Sequence, residues 1–187
     1  LQDTDEKRLV DYFDFLSKYL KNEHRGLRVV AIDGLSLYLS SQLGSSRSQK
    51  AGYKPFLLER FDAFAKELIG KNIQEGHREV TFFLINEKRA DLLCFSAQLC
   101  ALLSDSSLVS QIITQLIDGW RDVDSNVRKT SIKMIQYVGS VGIPLDDYQP
   151  RLRCEASELM AIPEYPDKAI LQDFILWNAK RNQTASA

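Results

Sequence analysis

The residues able to do chemistry in this chain are few and poorly placed for it. There are two histidines, His24 in a polar turn and His77 after Gly76. Neither has a Ser, Cys or carboxylate at a spacing that would build a nucleophile, a base and a group to orient the base. Cys94, Cys100 and Cys154 are odd in number, form no CxxC pair and lie in apolar helical contexts. That pattern reads as reduced, buried thiols in a cytosolic or nuclear protein. Glu155 and Glu158 are three apart on a short helix, and Asp146 and Asp147 fall in a linker; such carboxylate pairs read as solvated. The run "DVD" (122–124) is too short for a calcium loop, which needs about twelve residues and a closing Glu. The run "GSVG" (139–142) lacks the Lys-Ser/Thr and the upstream strand of a phosphate cradle. The sequence therefore implies no catalytic residue, no cofactor and no metal site.

Basic residues near turns are what remain. Lys21 and Arg25 flank one turn, and Arg121 lies in another. Lys129 and Lys133 follow four apart on one helix face, so they project together. These five are the candidate partner-binding residues. Arg28 and Arg128 occupy equivalent places where a hydrogen-bonding role between repeats is expected.

Composition narrows the partner. The 187 residues carry 24 basic and 25 acidic side chains, a net charge of −1. A domain devoted to nucleic acid carries a basic excess that neutralises phosphates; this chain does not, so another protein is the expected main partner. No apolar run approaches the roughly 20 residues that span a bilayer, and nothing resembles a signal peptide. A membrane partner and a small-molecule substrate are not expected. The location expected is cytoplasmic or nuclear, with the cytoskeleton as one setting.

The elements that position these residues repeat. The stretch from Leu9, "LVDYFDFLSKYLKNEHRGLRVVAIDGLSLYL", matches the stretch from Val109, "VSQIITQLIDGWRDVDSNVRKTSIKMIQYVG", without a gap. Phe13 pairs with Ile113, Leu20 with Trp120, Leu27-Arg28 with Val127-Arg128, and Ala31 with Ser131. Apolar residues at helical spacing predict helices over 5–21 and 26–43. Others are expected over 54–69, 78–87, 89–103, from near Leu108 to 140, 151–161 and 167–181. "REVTFFLINE" (78–87) is rich enough in β-branched and aromatic residues to suggest a strand, but it has no obvious partner strand and reads as a buried helix. "GSSRSQKAG" (44–52) reads as a flexible loop, 139–150 as a linker, "IPEYP" (162–166) as extended, and 182–187 as a frayed tail. "SDSS" (104–107) supplies an N-cap. The reading is all α: a HEAT-repeat-like α-α superhelix of antiparallel helix pairs. It spans 1–187 as a single α-solenoid segment of a larger protein. Leu27, Ala31, Val127 and Ser131 are expected between helices, and Trp120 and Trp177 in the core.

The unit of apolar helix, short turn with Asp or Asn, (Val/Leu)-Arg-x-x-(Ala/Ser) and second apolar helix resembles a HEAT repeat. It occurs as "DVDSNVRKTSIKMI" (122–135) and as "NEHRGLRVVAIDGL" (22–35); residues 44–106 depart from it. Within that superfamily, "LIDGWRDVDSNVRKTSIKMIQYVGSVGIPLDDYQPRL" (116–152) followed by "ILQDFILWNAKRNQT" (170–184) is similar to the last repeats of TOG-type domains of CLASP microtubule regulators. The resemblance implies a non-enzymatic scaffold that meets tubulin, or a subunit of some other complex, through its intra-repeat turns. Here those turns are 21–26 and 120–126. The first lacks the exposed Trp of tubulin-binding TOG domains. An acidic partner on a basic turn edge implies binding that weakens steeply with salt. The alternative within the superfamily is a subunit or regulator of a condensin- or cohesin-type chromosome complex. A HEAT-like DNA glycosylase ranks behind both, because it needs a basic channel.

Overall fold

The computed structural model describes residues 89–185 continuously and, before them, residues 7–8, 11–12, 14–15, 18–19, 24, 26–27, 30–31, 33–34 and 62–63. Lys21, Arg25, Arg28, His77, the loop 44–52, most of 54–69 and the segment 78–87 lie outside the described residues. All the described regular structure is helical, and no strand occurs among the described residues. Residues 89–185 make five α-helices: α1 (Arg89–Cys100), α2 (Ser106–Asp118), α3 (Ser125–Ser140), α4 (Gln149–Ala161) and α5 (Lys168–Ala185). Two 3-10 turns, Gly119–Arg121 and Asp146–Tyr148, punctuate them.

Local chemistry sets each boundary. The first helix stops at Cys100 rather than at 103, because the N–H groups of Leu102 and Leu103 both donate to the Leu99 carbonyl, at 2.8 and 3.1 Å. That turn drives both leucines into the core, where each is 1% exposed. Asp105 caps α2 as the sequence implied, its carboxylate accepting from the Ser107 N–H. One face of α2 then buries Leu108, Ile112, Ile113, Leu116 and Ile117. Asp124 caps α3 by accepting from the Val127 N–H at 2.9 Å. Helix α3 buries Val127, Ser131, Ile132, Ile135 and Val138 and packs on α1, α2 and α5. It is the centre of the described fold.

The expected linker 139–150 is shorter than it reads. Helix α3 runs to Ser140, and Gly142 turns the chain at φ +90°, a conformation that favours glycine. Helix α4 starts at Gln149 with Pro150 in its first turn, where no N–H is needed. The stretch 162–166 is a turn and not extended: the Tyr165 N–H donates back to the Ile162 carbonyl at 3.2 Å. Helix α5 continues to Ala185, well into the span read as frayed.

Around α3 the core is continuous. Trp120, fully buried, meets Phe174 edge-on with ring centroids 4.9 Å apart. Trp177 is half-buried and packs against the same cluster. Gly119 lies against α3 so closely that a Cβ there would overlap the Ser131 side chain. This is the close approach that a small residue at position 131 permits.

The repeated positions divide. Ala31, Val127 and Ser131 are buried as expected, at 1%, 2% and 0% exposure. Leu27 is not; it is 40% exposed. A repeat position takes its burial from the helices packed over it, and Val127 belongs to a helix with neighbours on several sides.

Candidate interaction edge

The turn between α2 and α3 is braced from within. The Asp122 carboxylate accepts from the Asp124 N–H at 2.9 Å. Arg128, one turn into α3, folds its guanidinium back over the turn. Its terminal nitrogen donates to the carbonyls of Asp122 and Val123 at 2.8 and 2.9 Å, and its Nε to the Asp167 carboxylate at 2.5 Å. Arg128 was expected to bond between repeats; two of its three bonds stay within its own turn, and only the one to Asp167 reaches another element. The Arg128 and Asp167 side chains are only 12% and 3% exposed, so the pair is largely removed from water.

The turn between α4 and α5 lies beside the first. Tyr165 donates its hydroxyl hydrogen to the Trp120 carbonyl at 2.8 Å. Burial, reinforced by the negative charge of Asp167, pushes the Tyr165 phenol up to about 12. Two contacts, Tyr165 to Trp120 and Asp167 to Arg128, therefore lock the two turns into one edge. That edge exposes two large apolar side chains, Val123 at 91% and Ile162 at 40%.

Arg121 is exposed but committed. Its guanidinium donates to Glu155 at 2.5–3.0 Å and to Glu158 at 2.5 Å. These bonds, the one to Glu155 first, hold it charged above its ordinary range. The two glutamates are thus not simply solvated carboxylates; they face a cation supplied by another element. A second pair, Arg151 with Asp118, ties α4 to the end of α2.

The five expected partner-binding residues are distributed as follows. Lys21 and Arg25 fall outside the described residues. Arg121 is spent on Glu155 and Glu158. Lys129 is half-buried, its Nζ 4.0 Å from Asp167. Lys133 is exposed, one turn further along α3. The described part of the edge is therefore not the basic strip that the sequence suggested. Carboxylates from α4 and from the second turn reach across and offset Arg121, Arg128 and Lys129. The residues that sequence reasoning missed are Val123, Ile162, Tyr165 and Asp167. For Val123 a signal was present, since an apolar residue between two turn aspartates has no route into a core.

The thiols differ from the expectation too. Cys100 is buried, and burial pushes it up to about 12. Cys94 is half-buried and also raised by burial. Cys154 is exposed, because α4 turns Leu152, Ala156 and Leu159 inward and leaves position 154 on the other side. The Glu158 carboxylate, accepting a hydrogen bond from it at 3.3 Å, pushes this thiol up. None of the three is poised as a thiolate. Among the described residues, no group of three or more His, Cys, Asp or Glu is arranged to hold a metal ion, and no helix is long and apolar enough to cross a membrane. Compared with protein-family models, with curated proteins and with solved structures, the chain finds no match.

Proposed function

We propose that the chain is a non-enzymatic protein-interaction scaffold, a segment of a HEAT-type α-solenoid that presents its intra-pair turns to a partner. The observation that carries this reading is the locked double turn. Two successive turns are bonded side by side by Tyr165–Trp120 and Arg128–Asp167, and each offers an exposed apolar residue, Val123 and Ile162, on a rigid backbone. A rigid anchor loses little conformational entropy on binding, so more of its contact energy appears as affinity.

The named case is a TOG-like role, in which the edge meets tubulin. Apolar anchors flanked by internally paired charges favour binding with only a mild response to salt. Co-sedimentation of the full chain with microtubules, at low and at moderate ionic strength, tests it. The parent is expected to pellet with microtubules at both, and Val123→Glu to stay in solution while melting at the parent temperature. No pelleting by the parent at low salt removes the tubulin case. Equal pelleting by Val123→Glu removes the edge.

A further inference from the structure

The outward face of the α4–α5 pair holds an open groove of about 900 Å³. Leu152, Ala156 and Met160 from α4 and Ile175 and Ala179 from α5 line its apolar part. Leu152 and Ala156 are buried, Met160 and Ile175 half-buried, and Ala179 open to solvent. A pinned amide cluster fixes one end. Gln149 and Asn178 exchange hydrogen bonds at 3.0 and 2.9 Å, and Asn182 donates to Gln149 at 3.0 Å. The two helices thus hold a set spacing where the groove ends.

One charge stands in this groove, that of Arg153. Four other arginines lie between positions 121 and 181, and all four are engaged. Arg121 holds Glu155 and Glu158, Arg128 holds Asp167, and Arg151 holds Asp118. Arg181 donates to the Ile143 carbonyl and lies over the Trp177 ring. Arg153 is exposed and has no such partner among the described residues.

We propose that the groove docks an amphipathic helix of a partner protein, with a stripe of apolar residues on the floor and a carboxylate on Arg153. A helix fits because two packed helices leave a trough into which the side-chain ridge of a third inserts. The small side chains of Ala156 and Ala179 leave room for that ridge. A peptide bound as a β-strand would need a sheet edge, and the described residues offer none. The carboxylate follows from charge: a guanidinium beside apolar surface is best matched by an anion that it can grip with two parallel hydrogen bonds. This site is separate from the turn edge and does not depend on it.

Two fluorescein-labelled, stapled helical peptides of about four turns test the assignment by anisotropy against the full chain. Both carry leucines at i, i+3, i+4 and i+7. One has glutamates along a flank, and its twin has lysines there. The glutamate peptide is expected to bind about fivefold tighter, the scale of one exposed ion pair. Arg153→Glu should reverse that preference, and Ala179→Arg should block both peptides without changing the thermal melt. The proposal is overturned by no binding of either peptide, or by equal binding of both to the parent and to Arg153→Glu. It is overturned as well by self-association in sedimentation that Ala179→Arg abolishes, because the occupant is then a second copy of this chain.

Discussion

The helices α4 and α5 contribute to two surfaces, and the two are finished in opposite ways. On the turn edge, Arg121, Arg128 and Arg151 each find a carboxylate within the fold, and Tyr165 finds a carbonyl. In the groove, Arg153 finds none among the described residues, and Met160, Ile175 and Ala179 stay partly or fully open to water. The first surface spends its polar groups on holding its own shape. The second pins its helix spacing with amides and leaves one guanidinium unpaired among the described residues. Exposure alone does not separate the two, because Arg121 and Arg153 are both exposed; what their guanidinium groups touch does.

The largest effect that would break this contrast comes from the buried ion pair. Arg128→Met removes the cation from Asp167, whose side chain is 3% exposed, with only Lys129 left at 4.0 Å. The loss should be about 3 kcal/mol in denaturant unfolding, the lower end for stranding one member of a buried pair. Arg153→Met should cost less than about 0.5 kcal/mol, as surface changes do. Equal losses for the two would erase the distinction between edge and groove.

Packing under the edge gives a smaller effect. Gly119→Ala places a Cβ against Ser131 and should cost about 1–3 kcal/mol through overpacking. Ala179→Ser, in the open groove, should cost little. A melting temperature for Gly119→Ala equal to the parent's would show that the turn 119–121 and α3 do not approach as closely as described.

The smallest effect sharpens the comparison by pH. Tyr165→Phe removes the bond to the Trp120 carbonyl and should cost about 1 kcal/mol near neutrality. The Tyr165 phenol sits at about 12 in the fold against 10.0 for an ordinary tyrosine. The folded state therefore holds its proton more tightly than the unfolded one. That stabilisation is complete below pH 10 and is lost as pH rises toward 12. Unfolding curves taken across this window should fall more steeply for the parent than for Tyr165→Phe. Parallel curves would remove Tyr165 from the lock.

Much of this architecture is legible in the sequence because it depends on local spacing. The caps at Asp105 and Asp124, the buried face of α2, the small residue at Ser131 and the core position of Trp120 all follow from short-range pattern and register. The bonds of Arg128 to its own turn follow from the same spacing, whereas its bond to Asp167 does not. The contacts that were not legible join residues far apart in the chain. Glu155 and Glu158 look solvated until α4 is laid across the end of α2, and Arg121 looks free until then. Tyr165 sits between two prolines in a run that reads as extended, and only the neighbouring turn shows why its ring is buried. The groove belongs to two helices at once, so neither helix announces it alone. The five basic residues chosen from sequence gave a strip of charge because sign can be read in one dimension and compensation cannot.

The contact between Trp120 and Phe174 has an optical consequence. One indole is sealed from water and the other, Trp177, is partly wet with a guanidinium above it. The chain holds no other tryptophan. Its intrinsic fluorescence is therefore the sum of a blue, solvent-shielded emitter and a redder, quencher-accessible one. Iodide or acrylamide should dim the second before the first. The molecule thus carries two built-in reporters, one in the core behind the turns and one on the last helix, and each can be followed without attaching a dye.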